Sequence, residues 1–168
     1  MLMQYYKIQG KNATLAKELS TPIGEQIKQL SKEGKLTPEL KTYLFAADRR
    51  LLLDGLGQVN KDDIVIFDRY VPSAIAYRMA DGVDKDWVKS VNKNFPRHDL
   101  GFYIDITPET SIERNTDQKF NILYSYEHLD RVRKAYMSIL DEYSLQKIDG
   151  NNSIDNIFKQ IATRINHR

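Results

Sequence analysis

Ile64-Val65-Ile66-Phe67-Asp68-Arg69-Tyr70 is the stretch on which the fold of this 168-residue chain turns. Four consecutive β-branched or aromatic residues, without polar alternation, predict a buried strand of a parallel sheet. The strand's end sets a carboxylate beside a guanidinium. In an open α/β sheet, ligands bind just outside the carboxyl ends of the strands. An Asp there suits a magnesium ion held through water, and an Arg suits the oxygens of a phosphate. The competing reading is a salt-bridged Asp-Arg pair that simply ends a strand.

Outward from this strand, strand-like and helix-like segments alternate. Residues 1–9 read as a helix stopped near Gly10. Ala13 to Ala16 is a short strand leading into Lys17-Glu18. Pro22 opens a helix with Ile23, Ile27 and Leu30 on one face. Thr37-Pro38 is a cap followed by a first-turn proline, and the helix behind it runs to about Leu56. A helix from Pro72 through Tyr77 follows the central strand, and Asp84 caps a short helix carrying Trp87 and Val91. Leu100 to Ile106 is the third strand. Thr107-Pro108-Glu109 opens another helix. A long helix is expected from about Asn121 to Tyr143, then a strand from Leu145 to Ile148. Ser153 caps a terminal helix whose core face is Ile154, Ile157, Phe158, Ile161 and Ile165. Four strands separated by helices predict a parallel α/β sheet covered on both faces, in a single domain spanning 1–168.

Composition narrows the function classes. Lys plus Arg number 25 against 23 Asp plus Glu, so no bulk charge favours nucleic acid or membrane surfaces. The absence of cysteine excludes disulfides, thiolate metal sites and thiol nucleophiles. No apolar run approaches the ~20 residues of a membrane span, and residues 1–6 lack the zones of a signal peptide. A cytoplasmic protein is the expectation. His98, His128 and His167 have no metal-ligand spacing and receive no role.

Other residues suit nucleotide chemistry. Phe45 and Arg49 are four apart and share a helix face, so a base stacked on the ring and a phosphate on the guanidinium would fit a nucleoside monophosphate. The alternative is Phe45 in the core and Arg49 as an exposed pair partner. Lys17-Glu18 ends a strand ahead of Ser20-Thr21-Pro22-Ile23-Gly24, a tight helix entry that serves equally as a plain polar connection. The polar residues 115–119 follow Glu113-Arg114, where a mobile lid would close over phosphates. Arg114, Lys119, Arg131 and Arg133 supply positive charge nearby, or are surface charges of a solvated turn.

Taken in order, these segments resemble the thymidylate kinase family of nucleoside monophosphate kinases, particularly its archaeal members. The matching residues are Lys17-Glu18…Ser20-Thr21-Pro22-Ile23-Gly24, Leu36-Thr37-Pro38-Glu39, Leu44-Phe45-Ala46-Ala47-Asp48-Arg49 and Ile66-Phe67-Asp68-Arg69-Tyr70…Ser73-Ala74-Ile75-Ala76-Tyr77. They continue through Gly82-Val83-Asp84…Trp87-Val88, Phe102-Tyr103-Ile104-Asp105 with Pro108-Glu109, Glu113-Arg114, and Val132-Arg133-Lys134-Ala135-Tyr136. The resemblance implies a three-layer parallel sheet of the P-loop nucleoside monophosphate kinase type. It implies phosphoryl transfer from ATP to dTMP, giving dTDP, with Mg2+, in a homodimer. By resemblance, Asp68 lies near the magnesium ion and the transferred phosphate, and Arg69 binds the substrate phosphate. Phe45 stacks on thymine, Arg49 holds the monophosphate, Glu18 is the acidic residue after the second strand, and Ser73 and Tyr77 contact base and sugar.

The chain departs from the family in three places. Lys17-Glu18-Leu19 stands where Arg-Glu-Pro is usual. Arg78 stands where bacterial members usually carry Gln, which bears on the choice of base. The family also opens with a strand and a Gly-x-x-x-x-Gly-Lys-Ser/Thr loop, whose backbone cradles the donor phosphates. Residues 1–168 hold no such loop, and Gly55-Leu56-Gly57 is no substitute. A reading frame opened at an internal methionine, such as Met1 or Met3, would account for this, as would a real truncation. The family's first strand is central, so its absence is expected to part the second and third strands from the fourth and fifth by roughly 10 Å. Residues 1–168 by themselves are expected to have little or no kinase activity. The alternative function is a non-catalytic nucleotide-binding or regulatory homologue.

Overall fold

The computed structural model describes residues 1–115 and 125–167. These gather into two compact units, Met1–Arg78 with Gly82–Phe95, and Met79–Asp81 with the residues from Pro96 onward.

The first unit begins with α1 (Leu2–Ile8), which ends before Gly10 at φ +69°. β1 (Ala13–Lys17) and β2 (Ile64–Asp68) pair in parallel, with Ala13 opposite Ile64 and Lys17 opposite Asp68. Between them run α2 (Pro22–Lys32) and α3 (Pro38–Gly55), followed after β2 by α4 (Val71–Ala80) and α5 (Lys85–Asn92). The capping signals act as the sequence predicts. Thr21, Thr37 and Asp84 each accept a backbone N–H of the first turn, and Pro22 and Pro38 occupy the first helical position, where no amide is needed. Ala16, Ile27, Ile75, Ala76 and Val88 form the buried core of this unit. The α4 helix runs three residues beyond Tyr77. It stops where Gly82 turns at φ +85° and Val83 N donates back to Arg78 O at 2.9 Å.

The second unit holds β3 (Gly101–Asp105) and β4 (Leu145–Asp149), again parallel, with Gly101 opposite Leu145. With them are α6 (Pro108–Arg114), α7 (Tyr126–Ile139) and α8 (Ile154–Asn166). Thr107, Ser125 and Ser153 cap these helices. Val132, Ala135, Ile139, Ile148 and Ile161 supply the core.

The described strands thus make two two-stranded parallel sheets, β1-β2 and β3-β4. Three expectations need correction. Ile64 to Phe67 are half-buried, not buried, because a two-stranded sheet gives each strand one ladder neighbour. The α7 helix ends at Ile139 rather than Tyr143. Residues 141–144 turn instead, with Ser144 at φ +50° and Leu145 N bonded to Leu140 O, so that β4 can begin. The predicted start of that helix at Asn121 lies outside the described residues. Ile154 is 74% exposed: it directly follows the cap, and the covered face of α8 starts a turn later at Ile157.

One glycine is demanded by packing. A Cβ on Gly24 would lie 2.5 Å from Leu19 Cα and carbonyl carbon and 2.7 Å from its oxygen. The first turn of α2 therefore sits directly on the backbone after β1. Gly24→Ala is expected to destabilise the protein by about 1 to 3 kcal/mol, the usual range for forced overpacking. Urea unfolding reads this, and a midpoint equal to the parent's would mean that the Leu19 turn yields.

Candidate active site

The parallel register brings the ends of β1 and β2 side by side. Glu18 N donates to Asp68 O at 3.3 Å, closing the ladder beyond the last strand pair. Both chains then swing through left-handed backbone, Leu19 at φ +65° and Arg69 at φ +69°. Non-glycine residues seldom adopt this conformation, and it concentrates at functional sites. The turn after β1 is fixed by Asp48, a fully buried carboxylate on α3. Its Oδ2 accepts from Leu19 N at 2.8 Å and its Oδ1 from Thr21 Oγ1 at 2.6 Å, while Thr21 Oγ1 caps Gly24 N at 3.3 Å.

That turn delivers Glu18 to Arg49, the next residue on α3. Arg49 Nη2 donates to Glu18 Oε1 at 2.5 Å, with side chains 2% and 6% exposed. Arg49 Nη1 donates to Asn92 Oδ1 at 2.7 Å. The guanidinium lies 5.8 Å from the Tyr70 ring and 5.3 Å from the Phe95 ring, within cation–π range of both. Its Nε is buried and has no hydrogen-bond partner. Burial pushes the Glu18 carboxyl above the usual carboxylate range, and the Arg49 charge pulls it partly back. Arg49 is therefore neither exposed nor a surface pair partner: it is buried, oriented and charge-balanced.

Asp68 and Arg69 are both exposed. Asp68 Oδ2 is 3.9 Å from Lys17 Nζ, its neighbour across the ladder. The Arg69 guanidinium lies over the Tyr77 ring at 5.0 Å. Ser73 is buried on α4 and its N donates to Tyr70 O at 2.9 Å. Phe45 is half-buried, with the Arg78 guanidinium 5.7 Å from its ring. The first unit thus contains Glu18, Phe45, Arg49, Asp68, Arg69, Ser73 and Tyr77 together. Asp48, Thr21, Asn92, Tyr70 and Phe95 complete the setting: Asp48, Thr21 and Tyr70 lie inside the motifs read from sequence but carry no role there, and Asn92 and Phe95 lie outside them. The Asp48-Arg49 pair in the Phe-Ala-Ala-Asp-Arg run was the available signal for Asp48. The others meet Arg49 or Asp48 only through the fold.

The proposed lid falls mainly outside the described residues, Lys119 and 116–119 included. Arg114 is described, and it ties the end of α6 to the loop after β4. Its Nη1 donates to Gly150 O at 2.7 Å, and its Nη2 to Asn151 O at 2.9 Å and Asn152 O at 3.1 Å. Arg131 Nε donates to Ala80 O at 3.0 Å, and Arg133 pairs with Asp105 at 2.6 Å. These cations are built into the second unit as packing partners.

No group of three or more His, Asp or Glu side chains among the described residues converges as a metal cage. Asp68 is an exposed single carboxylate, which fits one water-mediated contact to magnesium, an ion that keeps several of its waters. No helix among the described residues is long and apolar enough to cross a membrane.

Comparison with known proteins gives one consistent result. A family model described as thymidylate kinase matches residues 1–161. A protein of Saccharolobus solfataricus named probable thymidylate kinase 1 is 36% identical over 140 residues, 83% of this chain and 74% of that one. Probable thymidylate kinase of Sulfurisphaera tokodaii is 34% identical over 153 residues, 90% of this chain and 78% of its own. Thymidylate kinase of Acholeplasma laidlawii is 32% identical over 159 residues, 85% and 78%. The parallel strands, the paired strand tips and these matches lead to one conclusion: the chain belongs to the thymidylate kinase family, with the α/β fold of P-loop nucleoside monophosphate kinases.

Proposed function

We propose that this chain carries the acceptor side of a dTMP kinase, the enzyme that moves the γ-phosphoryl group of ATP onto dTMP to give dTDP. The observation that carries it is the pairing of two strand tips, one presenting the exposed Asp68 and Arg69, the other Glu18 locked to Arg49. The two arginines divide the work. Arg69, exposed and resting on Tyr77, holds the acceptor phosphate. Arg49, balanced by Glu18, would serve the monophosphate from one helical turn beyond the Phe45 ring, which would stack the base. Ser73 and Tyr77 line the base and sugar. Magnesium, when bound, neutralises charge on the transferred phosphate. Asp68 would hold it through water, with Lys17 Nζ 3.9 Å from that carboxylate. Lys119 belongs to the proposed lid, and Arg114, held by the loop after β4, stands at its base. A cytoplasmic homodimer in one kinase domain, with no nucleic acid or membrane partner, accompanies this assignment.

Residues 1–168 contain no glycine-rich Lys-Ser/Thr loop. This favours a second reading for the stretch taken alone: it binds the acceptor nucleotide without turning it over. Calorimetric titration of the 168-residue chain with dTMP tests both. Binding is expected, with little or no dTDP formed when ATP and magnesium are added. Arg69→Ala is expected to weaken dTMP binding about tenfold or more, since hydrogen bonds between charged groups contribute roughly 1.5–3 kcal/mol. No binding by the parent chain, or equal binding by the Arg69→Ala chain, refutes the acceptor-site assignment. Sustained dTDP formation refutes the second reading.

A further inference from the structure

Arg49 is gripped from two sides, and only one grip carries charge. Glu18 takes Nη2 from the end of β1. Asn92, near the end of α5, takes Nη1 with its carbonyl oxygen at 2.7 Å. Asn92 is 4% exposed, and its amide nitrogen is committed elsewhere, donating to Val88 O at 2.8 Å. That second bond dictates which end of the amide faces Arg49: the acceptor end. Two fixed terminal nitrogens define the guanidinium plane, and the rings of Tyr70 and Phe95 flank it.

We propose that Asn92 is a positioning residue of the acceptor site: it fixes the plane of Arg49 without adding charge to it. This rests on the reading of Arg49 as an acceptor-site group. The neutrality matters because Glu18 already balances the guanidinium. The charged and titratable groups facing the pair are Asp48 from α3, Arg69 from the turn after β2, and the Tyr70 phenol. A second carboxylate on Nη1 would give Arg49 two anionic partners, with Asp48 adjacent, and the cluster would repel an anionic nucleotide. An amide offers the same acceptor geometry at no charge.

The test compares dTMP titrations of the full chain, Asn92→Asp and Asn92→Ser between pH 5 and 8, with thermal midpoints measured alongside. Asp keeps the size and the acceptor of Asn92 but loses the amide that donates to Val88 O, so a purely structural role predicts a lowered thermal midpoint with a ratio of variant to parent Kd near one for the folded chain. The proposal predicts a ratio of at least ten at pH 8, where the added carboxylate is ionised. Asn92→Ser withdraws the acceptor from reach without adding charge, and is expected to raise Kd at least threefold, independently of pH, with a lowered midpoint because Arg49 Nη1 and Val88 O lose their partner. A parent that binds dTMP while both variants bind equally well overturns this proposal alone. A parent that does not bind dTMP overturns the acceptor-site reading and this proposal with it. Should Asn92→Asp not fold, the Asn92→Ser ratio decides: three or more supports positioning, and one overturns it.

Discussion

A Glu18→Ala chain is expected to unfold about 3–5 kcal/mol more easily than the parent, the cost of removing one partner from a buried ion pair. The magnitude follows from burial. Arg49 is 2% exposed, so loss of Glu18 strands a buried cation without its counter-charge. Its Nε is already without a partner. Asn92 and the flanking rings supply partial charges only. Glu18→Gln keeps an acceptor for Nη2 and removes only the charge, so it is expected to cost less than Ala. Replacing both partners with apolar residues, Glu18→Leu with Arg49→Met, is expected to recover much of the loss, because no charge is left buried. Urea unfolding with unchanged m-values reads all of these. A loss below 1 kcal/mol for Glu18→Ala would mean that Arg49 reaches water in solution. A loss of about 3–5 kcal/mol approaches the whole stability of an ordinary domain, so the strand tip of the candidate site also holds the first unit together.

Much of this architecture is legible locally. Thr21-Pro22, Thr37-Pro38, Thr107-Pro108, Asp84 and Ser153 each mark a helix start that the structure reproduces, because a cap satisfies amides within three residues of itself. Helix ends and strand burial depend on distant chain and are less legible. The apolar pattern runs past Ile139 toward Tyr143, but β4 requires a turn there. Ile64 to Phe67 read as buried, yet their exposure depends on how many strands flank them.

The site divides in the same way. Asp68, Arg69 and Glu18 were legible as charges ending strands. The partners of Arg49 were not, since Glu18 and Asn92 lie 31 and 43 residues away in sequence. Asn92 in isolation is an ordinary polar residue near a helix end. Asp48 was visible beside Arg49, but nothing local says that its two oxygens hold the turn at Leu19 and Thr21. Local pattern locates charges, and only the packing of α3 and α5 against the end of β1 says which of them meet.

In the second unit, Asp105 is expected to be the acid-sensitive anchor, and Asp105→Asn to cost about 2–3 kcal/mol at neutral pH. The carboxylate ends β3 and is 4% exposed. Arg133 from α7 reaches it with two nitrogens at 2.6 and 3.0 Å, Lys147 on β4 at 3.0 Å, and the Tyr103 hydroxyl donates at 3.3 Å. The hydrogen bonds from Arg133 lead the causes that hold its pKa down at about 2, against an ordinary value of 3.8. The unfolded chain therefore takes up a proton at a higher pH than the folded one. The stabilisation is complete above about pH 5. It declines as pH falls through the interval between about 4 and 2, and is gone below it. A shift of this size is worth about 2 kcal/mol at 1.36 kcal/mol per unit. Glu18, held high by burial, acts with the opposite sign: its contribution declines as pH rises through its folded pKa. Subtracting the two stability profiles isolates Asp105, since every other group is common to both chains. The parent-minus-variant difference in urea-derived stability should be flat from pH 7 to 5 and shrink by about 2 kcal/mol toward pH 2. A difference that stays constant into acid would show that Arg133 and Lys147 do not engage Asp105 in solution, and the tie between β3, β4 and α7 would then rest on apolar packing alone.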